Sequence, residues 1–323
     1  MRRLGLVNCK LREMLLIVAL LVISTSARAD EAQQRDAVQG QTEQGKAPRD
    51  TVQEAPKTLT WDPAWPTFRP SEYVMTGLTG AAAIGIYLFA KPPSNPHWTG
   101  GILFDDAARD AFRLRSQGAR TTARHVSDFT AAGAALLVLG VDSILIPLLR
   151  KNERLALQLT LMNLEAIAFS TFTVTSLFTT VGRARPSFEE CQRDPNSDTL
   201  CRSGETASFP SGHANGAFTA AGLSCAHHGN LPLYGGGAAD AAACIGSVAL
   251  ATTTASLRVL GDRHYVTDVL TSAGIGFGFG FGVPTLLHYV TGSGGEQSGD
   301  KAKFSLIPMG GNSQYGLMAV GSF

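Results

Sequence analysis

Almost no net charge is left on this chain: 27 Lys and Arg residues stand against 26 Asp and Glu in 323 residues. A nucleic-acid partner needs a basic face, and this balance disfavours one. Internal repeats of solenoid type are missing. So is a second core-forming block after the apolar segments, which leaves one helical domain with tails. No strand precedes the glycines at 274, 276, 278, 280 and 282, so they do not form a nucleotide-binding loop. They read instead as a small-residue ridge along the last helix, with 274, 278 and 282 in line, on which another helix packs closely. The mean hydropathy of +0.07 averages polar tails with apolar helices and excludes nothing.

Apolar runs are plentiful. They lie at about 72–90, 129–149, 157–181, 209–228, 239–260 and 266–290, most of them near the length a tilted helix needs to cross a bilayer. The expected fold is therefore all-α, a six-helix membrane bundle. Ahead of it, Arg2, Arg3, Lys10 and Arg12 precede the apolar run Met14–Ile23, and Ala27-Arg28-Ala29 offers a cleavage site. Residues 1–29 thus read as a signal peptide, with an uncleaved signal anchor as the alternative. Residues 30 to about 60 have hardly an apolar side chain and read as a disordered linker. Trp61-Asp62-Pro63-Ala64-Trp65-Pro66 forms an interfacial lead-in up to about residue 70. The domain is placed at 71–292 and a tail at 293–323, where weak alternation around Gly310-Gly311-Asn312 suggests a β-hairpin. Between the first two apolar runs, 101–125 interleaves Asp105, Asp106, Arg109, Asp110, Arg113 and Arg115 with Phe104, Phe112 and Leu114, the pattern of a surface amphipathic helix.

The chemistry concentrates at helix ends. Arg185-Pro186 closes the third apolar helix, Pro210-Ser211-Gly212-His213 opens the fourth, Arg258 closes the fifth, and His264 and Asp268 open the sixth. In an up-down bundle these four pieces share one face. His264 and Asp268 are one turn apart, so the carboxylate can hold one imidazole nitrogen and leave the other as a nucleophile. Arg185 and Arg258 supply forked donors for phosphate oxygens, and the Ser211-Gly212 turn adds a hydroxyl and backbone N–H groups. His213 is placed to protonate a leaving oxygen.

This constellation resembles the type 2 phosphatidic acid phosphatase and vanadium haloperoxidase superfamily. Its three motifs read Lys, six residues, Arg-Pro; Pro-Ser-Gly-His; and Ser-Arg, five residues, His, three residues, Asp. The resemblance covers roughly Phe129 to Val290. It implies a six-helix core, a phosphohistidine on His264 oriented by Asp268, His213 as acid, and Arg185, Ser211, Gly212 and Arg258 as the phosphate cradle. No metal or cofactor is implied for the phosphatases, vanadate serving only as a phosphate mimic. Two positions depart from the pattern. The lysine position is Phe178, and the serine before Arg258 is Leu257. Losing a cationic donor weakens transition-state stabilisation by roughly a few kcal/mol unless it is replaced, and Arg183 is the nearest substitute in sequence.

The leading functional expectation is a hydrolase acting on a lipid-linked phosphate monoester or diphosphate at a membrane. The alternatives are a vanadate-dependent haloperoxidase, which Phe178 disfavours, and a catalytically weak envelope protein that keeps the fold. Cys191 and Cys201 flank a polar loop beside the site and in an exported protein are expected to form a disulfide, two free thiols being the alternative. For Cys225, His227, His228 and Cys244, packing within the bundle is expected, ahead of a second disulfide or a metal site. The basic loop with Arg150, Lys151 and Arg154 marks the cytoplasmic side, which puts the catalytic face in the periplasm of a bacterial-type envelope. A cleaved signal followed by three crossings before Arg185 argues for the opposite side, unless 72–90 does not cross or the bundle is not a conventional inner-membrane protein; the periplasmic side is the expectation because the cysteine pair and the basic loop agree on it.

Overall fold

A computed structural model of the chain describes residues 59–198, 200–201, 206–290, 303–311 and 314–322. The expected signal peptide and the linker as far as residue 58 lie outside the described residues. The helices are α1 (Pro70–Phe89), α2 (Asp105–Phe112), α3 (Gln117–Leu149), α4 (Glu153–Val181), α5 (Phe188–Arg193), α6 (Gly212–Asn230), α7 (Ala238–Leu260) and α8 (Val266–Leu287). Strands β1 (Lys303–Gly311) and β2 (Gln314–Ser322) pair antiparallel, with Gly311 opposite Gln314. Local sequence sets the helix ends. Ser116 and Asn152 accept side-chain caps from Ala119 N at 3.2 Å and Leu155 N at 3.0 Å, and Gly182 ends α4 in the left-handed conformation at φ 60°. In the middle of α3, residues Leu136–Leu145 widen into a π-helix.

Helices α1, α3, α4, α7 and α8 are long and apolar enough to cross a membrane. Their large apolar side chains face outward: Leu78, Ile84, Leu88, Leu137, Leu157, Ile245, Leu270 and Leu286 are all exposed. A water-soluble bundle would bury such residues, whereas a bilayer solvates them. The inside is correspondingly polar. Ser170 meets Asn215 and Thr219 at 3.1 and 2.9 Å, Asn163 meets Ser143 at 2.6 Å, and His288 pairs with Glu165 at 2.9 Å. Between lipid-facing helices such bonds supply adhesion that apolar contact alone cannot. The remaining helix of the bundle, α6, is the central one. It buries thirteen of its nineteen residues and is rich in Ala and Gly, because it packs against helices instead of lipid.

Three expectations change here. The packing ridge of α8 is Gly276 and Gly280, where an added Cβ would collide with the Asn215 and Thr219 backbone of α6. Gly222 of α6 returns the contact, its added Cβ falling 2.6 Å from Phe281 N. Gly274, Gly278 and Gly282 meet nothing within 4 Å, since at spacing four they share the other face. Second, Cys225 and Cys244 form a disulfide joining α6 to α7, with Cα atoms 4.4 Å apart, so they do more than fill space. His227 and His228 take protein partners instead, Asn163 and Tyr289 for the first and Asp240 for the second.

Third, segment 101–125 is not one surface helix. It breaks between α2 and α3, and Arg109, Arg113, Arg120 and Arg124 turn inward to hold loops at one end of the bundle, while Asp106, Asp110 and Arg115 stay exposed. Arg109 and Arg113 pair with Asp262 at 2.7 and 2.9 Å and with Glu190 at 3.0 and 2.5 Å. Arg124 and Arg120 grip Asp198 at 2.6 and 3.0 Å, all three buried. Burial opposes the charged form of Asp198, yet the bonds from Arg124, the Leu200 amide and Arg120 outweigh it and hold the carboxyl well below its usual range. Stabilisation from a depressed carboxyl is complete above its unfolded pKa of about 3.9 and is lost as pH falls toward the folded value. Asp198→Asn leaves two buried guanidiniums uncompensated and should cost roughly 3–5 kcal/mol at neutral pH. Thermal unfolding in detergent checks this, and the gap between variant and wild type should narrow in acid.

Candidate active site

The expected residues gather at one end of the bundle. Ser211 caps α6, its Oγ accepting from Ala214 N at 3.4 Å and its own N–H donating to Ser272 Oγ of α8 at 2.7 Å. Gly212 is exposed, with nothing within 4 Å of where a Cβ would stand, so the turn is open to an anion. His213 follows, and its Nε2 lies 3.0 Å from Asp128 Oδ1 of α3. The same oxygen accepts from Arg258 Nη1 at 3.0 Å. Asp128 thus ties the imidazole of α6 to the guanidinium of α7. Sequence reading passed over it because helix α3 carries none of the three motifs.

His264 is buried in the turn before α8. Its Nδ1 lies 2.6 Å from the Ser208 carbonyl oxygen, and its Nε2 lies 3.4 Å from Arg185 Nη1. A carbonyl only accepts, so Nδ1 carries the proton and the Nε2 lone pair faces Arg185. Burial first, then the charges of Arg185 and Arg258, push the imidazole pKa well below its ordinary value. The ring is therefore neutral and directed at the arginines.

Asp268 does not hold that ring directly. Its Oδ2 is 4.0 Å from Nδ1, and accepts instead from Ser208 Oγ at 2.6 Å and Tyr265 N at 2.9 Å. Spacing places the carboxylate one turn on, but the residue that closes on the imidazole comes from the loop ahead of α6. Asp268 acts through Ser208: it fixes the serine whose carbonyl fixes the histidine. Ser208 could have been suspected from its place one residue before Phe209-Pro210-Ser211-Gly212-His213.

Arg183 is the clearest correction. Nη1 reaches Asp268 Oδ1 at 2.5 Å and Thr267 Oγ1 at 2.9 Å, while Nη2 reaches Asp105 Oδ2 at 2.8 Å and Gly100 O at 3.1 Å. Its Cζ sits 4.1 Å from the ring centroids of both Trp98 and Tyr265. A guanidinium sandwiched between rings and bonded to two carboxylates has no fork to offer a phosphate. It is a clamp between α2 and α8.

Arg185 does face the site: it donates to the Arg263 carbonyl at 2.8 Å as well as approaching His264. Burial, then Arg263 and Arg258, depress its pKa, the mark of cations held together. Cys191 and Cys201 are joined, with Cα atoms 5.0 Å apart, in the segment between Arg185 and Ser211. At the far end of the bundle, Glu72, Glu165 and His288 could offer a metal one atom each within 4.8 Å. Each carboxylate there already has a side-chain partner, Arg69 for Glu72 and His288 for Glu165.

Two histidines, forked arginines and an open helix start, brought to one face by four helix ends, are the geometry of the three motifs. Residues 160–291 match the PAP2 superfamily. The match spans Arg185, Ser211, Gly212, His213, Arg258, His264 and Asp268, and stops short of Asp128 and Arg124 on the N-terminal side. Among solved structures, a similar one is the first transmembrane PAP2 type phosphatidylglycerolphosphate phosphatase from Bacillus subtilis. It is 19% identical, with a TM-score of 0.43, and the likeness covers 67% of this chain and 94% of that one. No curated protein matches the chain. At the motif positions quoted above the chain departs at two, with Phe178 at the lysine position and Leu257 at the serine before Arg258.

Proposed function

We propose that the protein is a phosphatase that hydrolyses a lipid-linked phosphate monoester or diphosphate through a phosphohistidine on His264. The observation that carries this reading is the fixed tautomer of His264, whose unprotonated Nε2 points at Arg185. In the first half-reaction Nε2 attacks phosphorus and forms the N–P bond as the bond to the leaving oxygen breaks. That oxygen takes a proton from His213, while Arg185, Arg258 and the Ser211-Gly212 turn hold the charge on the phosphoryl oxygens. In the second half-reaction water attacks the phosphohistidine, gives its proton to His213 and releases phosphate, restoring His264. Asp128, bridging His213 and Arg258, orients the acid and keeps it near its charged partner.

A lipid substrate is supported by a groove of about 490 Å³ that starts at Gly212 and His213 and runs along α3, α4 and α6 past Ala135, Val138 and Ile167. An alkyl chain on the leaving oxygen would lie in it, beside the residue that protonates that oxygen. The Cys191–Cys201 cross-link at this end supports a catalytic face on the oxidising side of the membrane. Purified protein should release phosphate from a panel of long-chain lipid phosphates and diphosphates, and His264→Ala should release none. Short-chain analogues should show a raised KM. Silence across the panel, or release by His264→Ala equal to wild type, would reject the reading.

A further inference from the structure

One strong cation at this face is left without work. Arg263 is buried, at 8% exposure, and its Nε has no hydrogen-bond partner. Among the described residues no carboxylate lies within salt-bridge distance of its guanidinium; Asp198 and Asp128 act on it only through space. Its backbone is threaded between the two cradle arginines: Arg263 N donates to Arg258 O at 3.0 Å, and Arg263 O accepts from Arg185 Nη1 at 2.8 Å. His264, the residue that carries the reacting nitrogen, is its chain neighbour.

Four other buried arginines of this end hold a carboxylate: Arg120 and Arg124 hold Asp198, Arg183 holds Asp105 and Asp268, and Arg258 holds Asp128. Burying a guanidinium without an anion is costly, and the cost rises when other cations stand beside it. Burial, then the charges of Arg258 and Arg124, bring the Arg263 pKa down to about 10. A group kept under such conditions is matched to an anion that arrives from outside.

We propose that Arg263 is a phosphate-binding residue, forking onto the substrate's phosphoryl oxygens beside Arg185 and Arg258. The proposal rests on the phosphatase reading above. It also accounts for the apolar side chain at Phe178, because the third cation of the cradle comes from the turn before α8 instead of from α4. Arg183, the substitute suggested by sequence proximity, is occupied elsewhere.

Orthovanadate and inorganic phosphate are the probes, used on the full chain in detergent and followed by isothermal titration and by inhibition of phosphate release. Arg263→Gln should weaken vanadate binding about tenfold to a hundredfold, the size of a lost charge-assisted contact. Its melting temperature should stay level or rise, since an unpartnered buried charge has been removed. Arg263→Lys, which keeps the charge and loses the fork, should fall between the two and carries the test if the glutamine variant does not fold. Wild-type vanadate affinity in Arg263→Gln, or in Arg263→Lys where that variant stands in, overturns the assignment while leaving the phosphatase reading intact. A wild-type protein that binds neither vanadate nor phosphate and releases no phosphate overturns both.

Discussion

His264→Ala should abolish turnover on every substrate, whereas His213→Ala should fail selectively. Without Nε2 of His264 no N–P bond forms, whatever leaves. Without His213 the leaving oxygen departs unprotonated, which costs about 10²–10⁴-fold for an alkoxide and little for a nitrophenolate, already a stable anion. Comparing kcat/KM on a long-chain alkyl phosphate and on p-nitrophenyl phosphate separates the two roles. Equal losses on both substrates would reject the acid assignment, and residual alkyl turnover in His264→Ala would reject the nucleophile. The pH profile adds a second measurement. Burial and the neighbouring arginines hold His264 neutral far into acid, so its limb of the kcat/KM profile should fall well below the ordinary histidine range, near 6.5.

Arg183→Leu should be among the most damaging substitutions in the protein, and the damage should be to the fold. The change strands two buried carboxylates, Asp105 at 1% exposure and Asp268 at 0%, that now share one guanidinium. Breaking a buried pair from one side costs roughly 3–5 kcal/mol, because the remaining charge is left uncompensated. Stacking on Trp98 and Tyr265 is lost as well. Thermal unfolding in detergent should record the loss, and Arg183→Leu combined with Asp268→Asn should recover part of the stability while remaining impaired in turnover. A phosphate ligand would behave in the opposite way, with vanadate affinity falling and the melting temperature unmoved. That outcome would return Arg183 to the cradle.

Much of this protein could be read from the chain by itself. Six apolar segments, most of them of bilayer length, point to six helices, because a backbone in hydrocarbon must satisfy its own hydrogen bonds. Up-down connection then brings the ends at Arg185, Ser211, Arg258 and His264 to one face, whatever the side-chain detail. Residue types at those ends, arginine forks, imidazoles and a Ser-Gly helix start, follow the chemistry of anions and were legible for that reason.

What periodicity could not supply was the assignment of partners. Arg183 and Arg185 are two residues apart on an irregular stretch past Gly182, and only the tertiary structure sends one into the clamp with Asp105 and the other to His264. The carboxylate at 268 lies at helical spacing from the imidazole, yet the Ser208 carbonyl lies closer, because a loop from another part of the chain folds over the ring. Gly276 and Gly280, not their neighbours at 274 and 278, touch α6, since rotation of a helix about its axis is set by what packs on it. Sequence determines which groups are present and at which end of the bundle they stand. Which cation meets which anion is decided by distances between segments far apart in the chain, and those are fixed only when the helices pack.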